Sequence, residues 1–123
     1  MMSARIQSDP RGWPQRASGL AALILAAVAL GCSSFQGGRL YHDGTASLDR
    51  GDPALAIQQL EQAAELLPEA SEVHNHLGLA YWAAGRDGDA QLAFRRAVDL
   101  DCDNSAAVAN LRVAEAHKEE GEP

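Results

Sequence analysis

The four histidines are the side chains of this sequence best suited to binding a metal ion. His74 and His76 are two positions apart, so on a helix they would point about 200° away from each other and could not share one ion. His42 and His117 stand at no spacing known from metal sites. We expect all four to be solvated or packed, and we predict no metal site and no other cofactor.

Asp87 and Asp89 could suggest the start of a calcium loop. Such a loop needs a ligating Glu about twelve positions along, and none is present. The Asp-Gly-Asp sequence instead predicts the capped start of a helix. The sequence also lacks a hydrolase nucleophile elbow, a phosphate-cradling glycine loop and a Cys-x-x-Cys pair. We therefore predict no catalytic residues and no enzymatic activity.

Composition favours one small all-α domain. Of the 123 residues 46% are apolar but only 5% are aromatic, and alanine-rich chains with few aromatic side chains favour helices over sheets. From residue 32 onward there are 7 basic and 16 acidic residues, a net charge of −9. Such a domain repels phosphate backbones, so we expect no nucleic-acid partner.

Residues 1–31 resemble an export signal. Arg5, Arg11 and Arg16 precede an unbroken apolar run from Leu20 to Leu30, which is the order of a secretory signal peptide. As a helix this run is about 16 Å long, roughly half of a bilayer core, so it is too short to span. A buried core helix is the alternative, but so small a domain offers little surface to cover a helix that is apolar on every side.

The end of this segment, Ala29-Leu30-Gly31-Cys32, resembles the lipobox of bacterial lipoproteins, although Ala29 and Leu30 stand in exchanged order. The resemblance implies that Cys32 becomes the first residue of the mature chain and carries lipid, including palmitate. It also implies a location in the bacterial cell envelope, and Ser33 resembles the signal for the outer membrane facing the periplasm. The alternative is a plain signal peptide cleaved near Gly31, with Cys32 free or disulfide-bonded to Cys102.

Residues 37–104 contain two similar 34-residue units, 37–70 and 71–104, separated from Cys32 by a flexible tether at residues 32–38. Five pairs of small or apolar residues coincide when the units are superimposed: Gly44 with Gly78, Gly51 with Gly85, Ala56 with Ala90, Ala63 with Ala97, and Leu66 with Leu100. The second unit also carries His74, Leu77, Tyr81 and Phe94 at the spacing of the tetratricopeptide repeat. The chain resembles that family over residues 37–104.

The resemblance implies an all-α, right-handed solenoid of about five helices: two helical hairpins and a capping helix at residues 105–119, within a domain at 39–119, followed by a disordered tail at 120–123. Gly78 and Ala90 would let two helices approach closely, and Gly85 would end the first helix of its hairpin. Cys102 stands where the family has proline, and we expect it to be partly buried. Asp43 and Ser47 replace the apolar residues of the first helix, so we expect that helix to fray.

In this family, first-helix side chains line a groove that binds other proteins. The matching positions of the second unit are Glu72, Asn75, His76, Leu79, Trp82 and Ala83, with Trp82 as the expected anchor. Members that bind chaperone tails clamp a carboxylate with Lys, Asn and Arg, whereas the slots here hold Tyr41, Thr45, His76, Ala106 and Asn110. The resemblance implies a membrane-anchored scaffold that binds another protein of the cell envelope. The alternative is a homo-oligomer with no separate ligand.

Overall fold

The computed structural model describes the backbone of residues 16–121 and the side chains of residues 22–28 and 31–118. Within this part the chain forms five helices and no strand, so the predicted all-α class is confirmed. The helices are α1 (Arg16–Asp49), α2 (Pro53–Leu66), α3 (Ser71–Ala83), α4 (Asp87–Leu100) and α5 (Ser105–Gly121). Residues 120 and 121, predicted to belong to a disordered tail, are the last residues of α5. The predicted basic region up to residue 15 and the last two residues of the predicted tail lie outside the described residues.

The chain divides into two units, residues 1–31 and Cys32–Pro123. The first unit is helical from Arg16, and its large apolar side chains Leu23, Ile24, Leu25 and Val28 are exposed. A stretch of α1, Ala22–Asp49, is long and apolar enough to cross a membrane by length and composition. A signal sequence near the N-terminus meets the same criterion, so the export signal stays a prediction.

In the second unit the first helix differs from its prediction in two ways. Residues 32–38, expected to be a flexible tether, are helical, and the helix does not fray but continues to Asp49. Gly37 is buried against Leu67, so this part of the helix is held by packing. Ser47 is fully buried, and its hydroxyl oxygen lies 2.7 Å from Oε1 of Gln59 and 3.0 Å from the Asp43 carbonyl oxygen, which share its single proton as acceptors. The same oxygen accepts a hydrogen bond of 2.9 Å from the Arg50 guanidinium. Its polarity is therefore satisfied inside the domain.

The remaining helices begin and end for identifiable reasons. Asp52 caps α2 by accepting a hydrogen bond from the Leu55 amide, and Pro53 occupies the first turn, where a missing N–H costs nothing. Asn104 caps α5 in the same way through the Ala107 amide. At α4 the prediction of a side-chain cap was wrong. Arg86 is its N-cap residue and makes no such bond, while Asp87 and Asp89 lie in the first turn, where their charge favours the helix dipole.

Both turns inside the hairpins use glycine in the left-handed region. Gly51 has a φ of +76° between α1 and α2, and Gly85 has a φ of +74° between α3 and α4. A residue with a Cβ rarely adopts this conformation. The two glycines are 34 positions apart, so the same turn closes both hairpins.

The helices of the second unit form two layers. The helices of each hairpin run antiparallel. Gly37 contacts Leu67 and Gly44 contacts Leu60 in the first hairpin, while Ser71 bonds to the Ala97 carbonyl and Gly78 contacts Phe94 in the second. α3 contacts α2, α4 and α5, whereas α2 and α4 do not contact each other. Tyr41 on α1 also contacts His76 on α3. We conclude that α1, α3 and α5 lie side by side in one layer, with α2 and α4 packed against the other side of it.

Between these layers lies a core of small and medium apolar residues. Phe94 and Leu60 are its largest completely buried apolar side chains, and alanines fill most of the rest. The buried residues that pack together across α2, α3 and α4 are Ala56, Ile57, Leu60, Leu77, Ala80 and Ala93. Small side chains let the helices approach closely, which fixes the positions of their outward faces.

Candidate protein-binding surface

One contact between the first and second helix of a hairpin recurs with the 34-residue period. A Cβ on Gly44 would lie 2.6 Å from Cγ of Leu60, and a Cβ on Gly78 would lie 2.5 Å from the ring of Phe94. Both glycines stand at the eighth position of their 34-residue unit, and both partners stand sixteen residues further on. The sequence similarity of the two units therefore corresponds to the same packing in each hairpin.

A contact between neighbouring first helices also recurs. The Tyr41 hydroxyl lies 3.2 Å from Nδ1 of His76, and Nδ2 of Asn110 donates a hydrogen bond of 2.9 Å to Oδ1 of Asn75. Each pair is separated by 35 positions, and in each the fifth position of one unit meets the sixth position of the next. This contact joins α1 to α3 and α3 to α5, so the three first helices are held in one register.

One face of α3 lies on the open side of this layer. We define this groove face as Glu72, His76, Leu79 and Ala83, whose spacing of four, three and four residues places them along one side of a helix. Gly78 faces α4, and Leu77 belongs to the core, so the groove face points away from both. Glu72 and Ala83 are exposed, while His76 and Leu79 are half-buried. These four predicted groove residues are brought together.

The other two predicted groove residues have different surroundings. Asn75 is buried and bonded to Asn110, so its amide already joins α3 to α5. Trp82 is half-buried, with its ring edge-to-face against Phe94 at 6.0 Å and against His117 at 6.4 Å between ring centroids. It lines a small cleft with Asp87, Ala90, Ala114 and His117 between α3, α4 and α5. Trp82 thus supports the packing of three helices.

No protein-family model and no curated protein matches this chain.

The histidines have individual partners and do not converge. Nε2 of His74 lies 2.9 Å from the Pro68 carbonyl oxygen, His76 contacts Tyr41, and His117 contacts Trp82. Nδ1 of His42 lies 3.7 Å from the Asp43 carboxylate. Among the residues that the structure describes, no group of three or more His, Cys, Asp or Glu is placed to hold a metal ion.

Both cysteines are free and exposed. The expectation that Cys102 is partly buried was wrong, because the turn between α4 and α5 leaves its side chain in solvent. Cys32, the predicted site of lipid attachment, is accessible on the surface of α1.

Burial and neighbouring charges raise the pKa of both tyrosines. Partial burial, then the hydrogen bond of 2.6 Å that its hydroxyl donates to Glu61, raises the pKa of Tyr81 to about 12. The Arg86 guanidinium lies 4.5 Å from the centre of the same ring, and its positive charge opposes the increase. Burial and then the charge of Glu72 raise the pKa of Tyr41. Both tyrosines are therefore neutral packing groups near pH 7.

Sequence reasoning did not anticipate the exposed large apolar side chains of the second unit, which include Phe35, Leu92 and Val113. Phe35 on α1 is 72% exposed, and Val113 on α5 is 55% exposed beside the exposed Ala109 and Ala116. Val113 stands at the ninth position of its unit, like Leu79 and Thr45, so extending the groove positions to α5 would have found it. Phe35 lies before the first unit, in a segment predicted to be a flexible tether, so the sequence did not indicate that it would lie on a helix.

Proposed function

We propose that this chain is a membrane-anchored scaffold of the tetratricopeptide type that binds a segment of another envelope protein. An accessory subunit of a secretion, pilus or envelope-assembly complex is the role that fits it best. The observation that carries the proposal is the recurring pair of contacts, Gly44 with Leu60 and Gly78 with Phe94, together with the register that the Tyr41–His76 contact maintains. A scaffold of this kind offers one layer of helices for binding.

The chemistry of the groove face indicates which class of ligand segment it can bind. Leu79 and Ala83 supply apolar surface, Glu72 supplies a negative charge, and the domain as a whole is acidic. No Lys or Arg stands at the positions that clamp a terminal carboxylate in chaperone-binding members, so such a tail is a poor ligand. An apolar or weakly basic segment is the better match.

Cys32 and the apolar segment before it support the membrane anchor. The cysteine is exposed, and the large apolar side chains at positions 23–28 are exposed as well. Burial in a membrane during export removes that apolar surface from water. Labelling cells with isotopic palmitate tests this part. We expect label on the wild-type protein and none on Cys32→Ala, whereas equal labelling of both would contradict it.

Photo-crosslinking inside cells tests the binding surface. A photoreactive amino acid replaces Ala83, on the groove face, or Leu92, which is 64% exposed on α4. Both sites are accessible, so the second is a matched control. We expect a discrete crosslinked protein from position 83 and none from position 92. Equal yields from the two positions would contradict the assignment.

A homo-oligomer with no separate ligand is the second candidate. The exposed row of Ala109, Val113 and Ala116 on α5 favours it, because first helices elsewhere in the domain are covered by a neighbour. Sedimentation of the processed protein in detergent separates the two roles. A monomer supports partner binding, and a stable oligomer lost on Val113→Glu supports self-association.

A further inference from the structure

Three polar side chains meet where the groove face begins. Glu72 is exposed, and its carboxylate forms no ion pair with a Lys, Arg or His of the described residues. One turn further along, the ring of His76 stands edge-to-face with that of Tyr41, at 5.3 Å between ring centroids. Burial, and then the charge of Glu72, raises the pKa of Tyr41, so the carboxylate lies near that hydroxyl. The three side chains therefore converge between α1 and α3.

The contacts of His76 fix which of its ring nitrogens carries the proton. Nδ1 lies 2.9 Å from the Glu72 main-chain oxygen and 3.2 Å from the Tyr41 hydroxyl oxygen. A carbonyl oxygen can only accept a hydrogen bond, so the proton of the short contact belongs to Nδ1. In the neutral ring Nε2 then has a lone pair and is an acceptor. No hydrogen bond joins Nε2 of His76 to another described residue.

Neighbouring donors are already engaged within the domain. The Thr45 hydroxyl donates to the His42 carbonyl at 2.9 Å, and the side-chain amide of Asn110 donates to Asn75. A ligand at this end of the groove face therefore meets two acceptors, one of them charged, in a chain whose net charge from residue 32 onward is −9. Such a surface attracts a cation that can donate hydrogen bonds.

We propose that Glu72 and His76 form a subsite for an arginine side chain of the bound segment. Its guanidinium donates to the Glu72 carboxylate and to Nε2 of His76, because its N–H groups are fixed in one plane and can serve two acceptors at once. Leu79, half-buried on the same face, offers apolar surface to the neighbouring part of the segment. This inference rests on the groove binding proposed above and specifies the side chain that the groove selects.

Nuclear magnetic resonance of the processed protein in detergent tests the subsite. The histidine rings are isotope-labelled, and spectra are recorded at about pH 8, where neutral imidazole prevails. The probe is a capped pentapeptide, Leu-Ala-Arg-Ala-Leu. Its control carries citrulline in place of arginine, which keeps the shape and removes the charge. Before peptide is added, His76 should show its proton on Nδ1. A proton on Nε2 would overturn the acceptor pair.

The arginine peptide should shift the Nε2 resonance of His76 and bind about fivefold more tightly than the citrulline peptide, an effect at the upper end for an exposed ion pair. Glu72→Gln should weaken the arginine peptide by the same factor. Glu65→Gln removes an equal charge from an exposed position on α2 and should leave the affinity unchanged. Equal affinities for the two peptides, or equal losses in the two variants, would overturn the subsite.

Crosslinking in cells from position 83 separates this inference from the function on which it rests. The yield of crosslinked partner should fall about fivefold in Glu72→Gln and stay unchanged in Glu65→Gln. A partner captured equally by both variants would overturn the subsite and leave the scaffold intact. No captured partner from either variant or from the parent protein would overturn the groove binding and the subsite with it.

Discussion

Gly78 packs so closely against Phe94 that a Cβ in its place would lie 2.5 Å from both Cδ1 and Cε1 of the ring. The ring is completely buried and cannot move aside. We predict that Gly78→Ala lowers the free energy of unfolding by about 2 kcal/mol, the usual cost of overpacking a filled core. Urea denaturation of the processed protein, followed by circular dichroism, measures the change.

Gly38→Ala is the matched control for that substitution. Gly38 is also helical, but no atom lies within 4 Å of its Cβ position. Alanine is favoured over glycine in a helix, so stability should rise by about 0.5–1 kcal/mol. Opposite signs at the two glycines would support the packing described. Equal effects would mean that Gly78 does not mark a close helix contact.

Gly85 tests the turn between α3 and α4. Its φ of +74° is strained for any residue with a Cβ, so Gly85→Ala should lower the unfolding free energy by about 1 kcal/mol. Gly88→Ala, with no atom within 4 Å and no positive φ, should be neutral or slightly stabilising. Thermal unfolding compares the two variants, and an unaffected Gly85→Ala would show that this turn tolerates another conformation.

The Asn75–Asn110 hydrogen bond should couple α3 to α5. Asn75→Ala removes a buried acceptor and leaves the Asn110 amide without its partner, which costs about 1–3 kcal/mol. A double-mutant cycle with Asn110→Ala should give a coupling energy of about 1 kcal/mol. Strict additivity of the two single substitutions would contradict a direct contact.

Tyr81 should make stability depend on alkaline pH. Its pKa is about 12 in the folded chain against an ordinary value of 10.0. Between these two pH values the folded state therefore keeps a proton that the unfolded state has lost. The contribution of Tyr81 to the free energy of unfolding is fully present below pH 10 and disappears as pH rises towards 12. Absorbance titration should detect tyrosinate formation at a pH above the ordinary tyrosine pKa of 10.0. Tyr81→Phe should remove the part of this titration that occurs at the highest pH, and with it part of the loss of stability at alkaline pH. A single titration near the ordinary value would contradict the burial and the Glu61 bond.

The helices from residue 52 onward could be predicted closely from local signals. The cap at Asp52, the proline after it and the glycine at position 85 act within one turn of the chain, so the sequence around each is sufficient. The close approach at Gly78 was also predictable, because the 34-residue period pairs it with a defined position on the next helix.

The first helix could not be predicted in the same way, because its stability depends on distant partners. Ser47 is polar in sequence, but Gln59 and a main-chain carbonyl satisfy its hydroxyl in the core. Trp82 illustrates a second limit. The repeat pattern places it at the edge of the groove. In the folded chain it packs against Phe94 on α4 and His117 on α5, and the sequence does not show that these two side chains come together there.

Binding of the crosslinked partner to substituted protein tests the central claim most directly. Ala83→Lys adds a positive charge to the groove face, and Leu92→Lys adds the same charge to the outer face of α4; both positions are exposed. A positive charge repels a basic segment and resists burial under an apolar one, so a titration of purified partner should give an affinity about tenfold weaker for Ala83→Lys, equivalent to about 1.4 kcal/mol, and an unchanged affinity for Leu92→Lys. Unchanged binding by Ala83→Lys, or an equal loss in both variants, would contradict a scaffold that binds through the groove face.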